Sequence, residues 1–313
     1  MIKPAQSAHP NAIYFILLLV PLFWGGAFGV TKHVVTEIPP LTVAALRFFL
    51  AGLLMVAWVV ARGGWDWAPI KRRWGGLMLL AVTGVLAYNY FFTVGIQYTS
   101  AINAALVIVV NPVTTALVAV TLLGEPWSWR LVAGVALCFL GVLTTITKGS
   151  LALLTSLTFS SGDLFMVGGV ISWTAYTTLG KVVMKDVPPL LATGASTLAG
   201  AVMLVLASFT EDGWSRLPAA SPQTIWEMAY LVIFPSVVAY FLFNVGIKRI
   251  GASRASAYIN LMPVNAIWIA AVFYGEPVTL AHMAGAVLII AGLLLITLFD
   301  VRAKTPAEKP SAA

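Results

Sequence analysis

The chain consists of two similar halves, and this repeat constrains its fold more than any other feature. The segment YFFTVGI at residues 90–96 returns as FLFNVGI at residues 241–247. A proline step and a Gly-Glu-Pro turn follow at the same spacing in both halves, so that Pro112 matches Pro263 at an offset of 151. Earlier positions match at an offset of 149. Duplicated apolar chains are typical of membrane transporters, which makes transport the first functional class to consider.

The composition places most of the chain in lipid rather than in water. Hydrophobic residues make up 60% of the 313 positions and charged residues only 9%, and the mean hydropathy is +0.95. So few charges cannot cover a surface that faces water on every side. The sequence therefore predicts a polytopic integral membrane protein.

Apolar runs of about 20 residues recur along the chain, and a helix of that length crosses roughly 30 Å of hydrocarbon. A helix also satisfies its own backbone amides, which lipid leaves without water. The connectors contain poor helix-interior residues, such as Pro39-Pro40 and Gly124-Glu125-Pro126. We therefore predict an all-α protein with ten transmembrane helices. The predicted spans are residues 12–31, 41–61, 74–97, 100–122, 127–147, 161–182, 190–209, 225–247, 252–274 and 278–299.

Ten spans divide into five per repeat, and an odd number reverses the direction in which the second repeat enters the membrane. The repeats are therefore predicted to be inverted, an arrangement that gives alternating access to a central cavity. The expected divisions are a tail at 1–11, a first five-helix repeat at 12–147, a linker at 148–160, a second five-helix repeat at 161–299 and a tail at 300–313.

The distribution of Lys and Arg predicts the orientation of the helices. With the amino terminus in the cytoplasm, Lys32, Lys148 and Arg216 lie outside, Arg47 lies within a helix, and all other basic residues lie inside. The positive-inside rule therefore predicts that both tails are cytoplasmic.

Other functional classes lack their sequence signals. The 18 basic residues exceed the 11 acidic ones, but they form no basic stripe interleaved with aromatics, so nucleic acid is not expected as a partner. Cys138 is the single cysteine, which excludes a disulfide framework. His9, His33 and His282 are not spaced with Cys, Asp or Glu as metal ligands are, and no nucleotide-binding loop or nucleophile elbow is found. We predict no enzyme activity, no metal and no cofactor.

Several motifs resemble those of a known family. Trp24-Gly25-Gly26, Arg47-Phe48, the stretch from Tyr98 to Pro112 and the Gly-Glu-Pro turns before glycine-spaced closing helices resemble the EamA-type exporters of the drug/metabolite transporter superfamily. The resemblance covers residues 12–299. It implies a ten-helix basket around a central substrate cavity and a location in the bacterial cytoplasmic membrane. It also implies export of small metabolites, commonly amino acids, although the fold alone does not name the solute.

Polar and aromatic residues within the spans are the candidates for solute contact, because polar groups in hydrocarbon tend to face a cavity or a partner helix. Amides and phenols hydrogen-bond carboxylates and amines, and aromatic faces suit aromatic or cationic ligands. The alternative is that each of them joins helices or belongs to the interfacial aromatic belt. The predicted substrate-binding residues are Trp24, Tyr88, Asn89, Tyr90, Asn103, Asn111, Trp173, Tyr176, Tyr240, Asn244, Tyr258 and Asn260.

Two prolines and one arginine are further candidates for a functional role. Pro112 and Pro263 lie near the middle of their predicted spans, where proline removes an amide donor and obstructs a carbonyl, so we expect kinks or hinges there. Arg47 lies about six residues, or roughly 9 Å, into the second span. We expect it to snorkel to the outer interface, to brace helices beside the cavity or to meet a substrate carboxylate.

Four glycines predict a close contact between helices. Gly134 and Gly141 lie seven residues apart in the fifth span, and Gly285 and Gly292 repeat that spacing in the tenth. Small residues seven apart lie on one face of a helix and allow a neighbouring helix to approach closely.

The charges favour one function over several others. No Asp or Glu lies in the central third of any predicted span, so a carboxylate for proton coupling is missing from its usual place. The leading hypothesis is an inner-membrane permease that exports aromatic or other neutral amino acids, or similar small zwitterions, with the solute and membrane lipid as partners. It is expected to be a monomer or an oligomer of unspecified size.

Three alternatives stay open. An antiporter for anionic metabolites such as sugar phosphates requires cations in the cavity, and Lys181, Arg254 and Arg47 are its candidates. Proton-coupled multidrug efflux is the second alternative. A non-transporting membrane scaffold or receptor is the third.

Overall fold

The structure is a computed structural model, and it describes residues 12–99, 107–150, 160–274 and 277–301 together with the single positions 152 and 155. These described residues form ten helical segments, which confirms the expected all-α fold class. The segments of the first half are α1 (Leu19–Glu37), α2 (Pro40–Ala61), α3 (residues 74–98), α4 (Asn111–Leu123) and α5 (Trp129–Thr147). Those of the second half are α6 (Ser161–Val183), α7 (Pro189–Ser208), α8 (Pro222–Ile250), α9 (residues 252–274) and α10 (Leu280–Val301). Short helices at Ala12–Ile16, Trp67–Arg72 and Trp214–Ala219 precede α1, α3 and α8.

The lengths and compositions of these helices define a multi-pass integral membrane protein. Seven helices among the described residues are long and apolar enough to cross a bilayer, and they correspond to α1, α2, α3, α5, α7, α8 and α10. α6 is equally long, at 23 residues, but more polar, with Asp163 near its start and Lys181 near its end. α4 is apolar but has 13 described residues.

Residues with defined roles at helix ends set several of these bounds. Pro40 and Pro189 occupy the first positions of α2 and α7, where the missing amide has no helical partner to lose. Ser128 caps α5 by accepting a hydrogen bond of 3.1 Å from an amide in its first turn. Because such signals are local in sequence, most predicted and observed bounds agree closely, as at Pro189–Ser208 against a predicted 190–209. The prediction was wrong for the end of the first span, because α1 continues to Glu37 rather than ending at residue 31.

α3 and α8 share an irregularity at equivalent positions. Each contains a π-helical segment, at Ala81–Ala87 in α3 and at Val232–Ala239 in α8, and the two begin at positions related by the repeat offset of 151. Pro235 lies inside the second segment and has no amide to donate. π-helical turns occur frequently at functional sites. The sequence predicts uninterrupted helices here, so these segments are a finding of the structure.

The two matched prolines lie at the start of helical stretches. Pro112 is the second residue of α4, which follows a turn at residues 109–110. Pro263 is the second residue of the stretch Met262–Tyr274 of α9, which follows a 3-10 turn. Each proline therefore follows an interruption of its span, at a position where a missing amide is tolerated. Hinge motion at these prolines stays a prediction.

The two repeats interlock through equivalent helices. α5 packs along α10 and α2 packs along α7, and each of these pairs consists of the same helix from the two halves. α4 packs on α9 in the same way, and α1 contacts the π-helical segment of α8 as α6 contacts α3. This pairing is the one that two inverted copies of a five-helix unit produce, and it confirms the predicted inverted repeat.

The contact between α5 and α10 depends on the four glycines. A Cβ atom built on Gly134 would lie 2.7 Å from the carbonyl oxygen of Gly292, and one built on Gly292 would lie 2.5 Å from that of Gly134. Gly141 and Gly285 face each other at 2.7 and 2.6 Å in the same reciprocal manner. The backbones of the two helices are therefore in direct contact, as the spacing of these residues predicts.

α8 defines the two ends of the helical bundle. It contains 29 residues, or about 43 Å at 1.5 Å per residue. Ser221, next to its start, donates its amide and its hydroxyl to Glu37, both at 2.8 Å. Ala252, just past its end, donates its amide to Glu125 at 2.7 Å. We call these the Glu37 end and the Glu125 end.

The glycine contact generates a stability prediction. Gly141→Ala places a methyl group against the backbone of α10, so we expect the free energy of unfolding to fall by about 1–3 kcal/mol. The matched control is Gly75→Ala in α3, where no heavy atom lies within 4 Å of the added Cβ, and this change should leave the protein as stable or slightly more so. Thermal unfolding of the purified variants in detergent measures both. Equal melting temperatures for the two variants would contradict the close contact.

Candidate functional site

Aromatic side chains from five helices meet at the centre of the bundle. We call them the aromatic cluster, and its members are Trp24, Phe48, Tyr88, Trp173, Tyr176, Tyr240 and Phe243. The two matched tryptophans are edge to face, with ring centroids 5.3 Å apart. The centroid of Trp173 lies 4.9 Å from that of Tyr88 and 5.7 Å from that of Tyr240. In this conformation the rings are in mutual contact, and both repeats contribute to them.

The cluster is joined to the two π-helical segments by hydrogen bonds. The indole Nε1 of Trp24 donates to the carbonyl oxygen of Pro235 at 2.9 Å. The hydroxyl of Tyr240 donates to the carbonyl oxygen of Gly84 at 3.4 Å. Each of these bonds runs from one half of the chain to the irregular backbone of the other half. The π-helical segments therefore fix the positions of the aromatic rings.

Two buried polar atoms of the cluster region have no hydrogen-bond partner among the described residues. They are the indole Nε1 of Trp173 and the amide oxygen of Asn244. Asn244 uses its amide nitrogen to donate to Tyr176 (2.6 Å) and Thr193 (3.0 Å). An unsatisfied buried donor or acceptor costs about 1–3 kcal/mol, so one donor and one acceptor in this region favour a polar ligand.

Arg47 lies beside the cluster and binds α8. It is half-buried, and its Nε donates to the hydroxyl of Ser236 at 2.5 Å. Its guanidinium carbon lies 4.9 Å from the ring centroid of Phe48, and the phenols of Tyr240 and Tyr88 are among its electrostatic neighbours. Among the described residues, no carboxylate lies within ion-pair distance of it. Arg47 therefore braces α2 against α8 and brings a positive charge without a carboxylate partner to the cluster.

The structure brings together some of the predicted site residues. Trp24, Tyr88, Trp173, Tyr176 and Tyr240 are all members of the aromatic cluster. Asn244 is hydrogen-bonded to one of them.

Three other predicted residues lie elsewhere. The Tyr90 side chain is 41% exposed on the outside of α3. Asn89 is buried but donates to the carbonyl oxygen of Val85 in its own helix at 2.7 Å. Asn103 lies outside the described residues.

The remaining predicted residues form separate contacts between helices. Asn111 of α4 is buried, and its amide oxygen lies 3.5 Å from the hydroxyl of Thr174 on α6. Tyr258 and Asn260 are buried in the 3-10 turn of α9, which packs on α1 and α5. These three residues are absent from the aromatic ring contacts and polar contacts of the cluster described above.

Sequence reasoning missed Phe48, Phe243 and Ser236. The two phenylalanines carry no polar group, so they read as ordinary lipid-facing or core residues in an apolar span. Phe243 follows Tyr240 by three residues, which places both on one helix face, and Phe48 directly follows Arg47. Ser236 is marked only by the preceding Pro235, and the π-helical segment around both depends on tertiary packing.

A second polar group joins the two repeats at the Glu125 end. We call it the Glu125 latch. The carboxylate of Glu125, in the turn after α4, accepts from the ammonium of Lys181 at 2.6 Å. It also accepts from the amides of Ala252 and Ser253 at 2.7 and 3.2 Å. Burial opposes ionisation of Glu125, but the hydrogen bonds from Lys181 and Ser253 outweigh it and hold the pKa of this carboxyl below its usual range.

An ion pair near the latch also joins the two halves. Arg73, just before α3, donates to the carboxylate of Asp186, which follows α6, and Arg72 lies 3.8 Å from the same carboxylate. The Arg73 hydrogen bond is the main reason why the pKa of Asp186 is lowered. Both carboxylates are therefore ionised at neutral pH.

Comparisons with known proteins now identify the class and the family. Residues 11–147 and residues 160–298 each match the EamA-like transporter family. An uncharacterized transporter of Bacillus subtilis (strain 168), YyaM, is 35% identical over 288 residues, which are 91% of this chain and 93% of that protein. The chain is thus a membrane transporter. It belongs to the EamA-like transporter family of the drug/metabolite transporter superfamily.

More distantly related proteins also match over most of this chain. An uncharacterized transporter of Archaeoglobus fulgidus is 29% identical, covering 91% of this chain and 96% of that protein. A chloroplastic WAT1-related protein of Arabidopsis thaliana is 26% identical, covering 90% of this chain and 68% of that protein. A solved crystal structure covers 94% of this chain with a TM-score of 0.77, and at 19% identity it shows the shared fold.

The lowered pKa of Glu125 generates a prediction about pH. A carboxyl whose pKa is lower in the folded than in the unfolded state contributes stability that is complete above its ordinary value of about 4.3 and is lost as the pH falls through the lowered value. We therefore expect the melting temperature of the wild type to fall more steeply than that of Glu125→Gln as the pH is lowered below about 4.3. Lys181→Met should flatten the profile in the same way because it removes the cation. Parallel profiles for all three proteins would contradict the latch.

Proposed function

We propose that this transporter exports small zwitterionic metabolites, with aromatic or other neutral amino acids as the preferred class. The observation that carries the proposal is the aromatic cluster with Arg47 beside it, because Arg47 has no carboxylate partner among the described residues. A charge held at this depth without a partner is costly, and a bound carboxylate offsets that cost. An apolar or aromatic side chain of the solute then packs against the rings.

The polar atoms of the site suit the two charges of an amino acid. The guanidinium of Arg47 binds the carboxylate, as arginine does in bidentate pairs. The phenols of Tyr88 and Tyr240 and the unpaired oxygen of Asn244 are acceptors for the ammonium. The unpaired indole of Trp173 is a further donor for the carboxylate. The solute would thus enter with no net charge of its own, and its carboxylate would lie against the Arg47 guanidinium.

Transport would follow from alternating access between the two inverted repeats. The Glu125 latch ties a turn of the first repeat to α6 and α9 of the second, so it holds the Glu125 end closed in this conformation. Lys32 and Glu276 are the equivalents of Lys181 and Glu125 in the sequence repeat. We propose that the Glu37 end closes when the latch opens. The site would then face each side of the membrane in turn.

The orientation in the membrane is part of the proposal. Lys248, Arg249 and Arg254 lie at the Glu125 end, next to Lys181. By the positive-inside rule this end faces the cytoplasm of a bacterial cell, together with both termini. The bacterial relative supports a location in the cytoplasmic membrane. The solute would enter when the Glu125 latch opens and leave at the Glu37 end.

The other transport hypotheses receive less support. An anion antiporter needs convergent cations, but Lys181 is paired with Glu125 and lies with Arg254 at one end of the bundle, whereas Arg47 lies beside the aromatic cluster. Proton-coupled drug efflux needs a carboxylate at the site, and the contacts described for the cluster include none. The scaffold hypothesis is the least supported, because the family consists of transporters.

The first functional prediction concerns the aromatic cluster. We expect Trp173→Ala and Tyr88→Ala each to lower the efflux of labelled phenylalanine from proteoliposomes at least about fivefold, since one aromatic contact contributes about 1 kcal/mol. The matched control is Trp129→Ala, which removes a side chain that is 76% exposed at the start of α5. All variants are compared at equal reconstituted amounts. Equal efflux from the three variants would contradict the site.

The second functional prediction concerns Arg47. We expect Arg47→Gln to lower the selectivity for phenylalanine over phenylalaninamide, which lacks the carboxylate, by about tenfold or more, since a hydrogen bond to a charged group contributes about 1.5–3 kcal/mol. Uptake competition in proteoliposomes measures this ratio. Arg62→Gln is the control, because Arg62 lies at the other end of α2 and contacts Trp58. A variant that loses transport of both compounds equally would assign Arg47 to the packing of helices alone.

A further inference from the structure

A polar cavity lies away from the aromatic cluster, at the Glu125 end. It has a volume of about 520 Å³. Its walls come from the turn between α4 and α5, the end of α6, the junction between α8 and α9 and the last turns of α10. We call it the basic pocket.

The polar wall of the basic pocket carries a strong positive charge. Its basic members are Arg130, Lys181, Lys248, Arg249 and Arg254. Among the described residues that line it, Glu125 is the one carboxylate. That carboxylate already binds Lys181 and two backbone amides in the latch. Lys248 and Arg249 are exposed at the end of α8 and line the pocket, so their charges are available to a bound molecule.

The opposite wall is apolar and belongs to helices at the edge of the bundle. Leu131 of α5 and Leu295 and Ile296 of α10 line it. α5 and α10 pack mainly on each other, and their outer faces carry exposed apolar side chains such as Leu140 (52%) and Val287 (66%). These faces are in contact with lipid in a membrane protein. The apolar wall of the basic pocket therefore borders helices that face the bilayer.

We infer that the basic pocket binds the phosphate group of an anionic phospholipid, with an acyl chain beside Leu295, the least buried residue of the apolar wall. The basic side chains lie at helix ends, which is the level of the lipid headgroups, and the apolar wall continues from there along α5 and α10. A free phosphate ion would use the basic wall alone, so the apolar wall favours the lipid. A lipid held here fixes the α8–α9 junction, whose amides bind Glu125. The inference does not depend on the identity of the transported solute.

The test uses the full chain purified in detergent and stripped of lipid. Phosphatidylglycerol, phosphatidylcholine and inorganic phosphate are added in separate titrations, and native mass spectrometry and the melting temperature measure binding. The test variant is Lys248→Gln with Arg249→Gln. The matched control is Lys71→Gln with Arg62→Gln, which removes one exposed lysine and one exposed arginine at the same end of the bundle but outside the pocket.

We expect phosphatidylglycerol to bind the wild type and the control variant equally and to raise their melting temperatures. Its binding to the test variant should be at least about tenfold weaker, since each cation near an anionic headgroup contributes about a factor of five. Phosphatidylcholine and phosphate should give no saturable shift. Equal phosphatidylglycerol binding by the test and control variants would overturn the inference. So would a saturable shift with phosphate alone that the test variant loses, because that result assigns the pocket to a soluble anion.

Discussion

The absence of water at the depth of the hydrocarbon is the constraint on which the rest of this structure depends. Every backbone amide and carbonyl there needs a partner within the protein, and long helices satisfy this need by themselves. Where α3 and α8 leave the α-helical pattern, side chains from the opposite repeat supply hydrogen bonds. Trp24 donates to Pro235 and Tyr240 donates to Gly84. The two donors belong to the aromatic cluster, which therefore lies against the π-helical segments. Irregular backbone within the hydrocarbon region is tolerated where it is buried in protein or lines a cavity.

The inverted repeat supplies the second constraint, because each helix of one half packs on an equivalent or neighbouring helix of the other half. An acidic residue joins the two repeats in the same way at both ends of the bundle. Glu37 at the end of α1 binds the start of α8 through Ser221, and its equivalent Asp186 after α6 binds Arg73 at the start of α3. Each acidic residue thus fixes the entry of a π-containing helix in the other repeat. A rigid movement of one repeat therefore changes contacts at both ends, which is what alternating access requires.

The fold follows from the sequence more completely than the site does. Apolar periodicity, proline and Gly-Glu-Pro turns are local signals, so the helices, their bounds and the inverted repeat are all predictable. The site depends on which faces meet. Tyr88 and Tyr90 illustrate this, because two positions in a helix are separated by about 200°, so that Tyr88 points into the cluster while Tyr90 lies on the outside. The sequence predicts the π-helical segments even less well than the site. They form where tertiary contacts compensate for the altered backbone hydrogen bonds, and those contacts are not local in sequence.

The unpaired polar atoms of the site arise where the two repeats diverge. Pro235 and Gly84 are equivalent at the offset of 151, so the symmetric partner of the bond from Trp24 to Pro235 would run from Trp173 to Gly84. Tyr240 binds the Gly84 carbonyl instead, and the indole of Trp173 has no partner among the described residues. The equivalent of Tyr240 is Asn89, which binds its own helix. Arg47 shows the same divergence, because its equivalent in the other repeat is Ser196. Arg47 binds Ser236, and the equivalent of Ser236 is Val85. Among the described residues of the site, the symmetric scaffold therefore leaves one unpaired donor, at Trp173, and one charge without a carboxylate partner, at Arg47, without equivalents in the other repeat, and this asymmetry is the one that the proposed solute carboxylate would use.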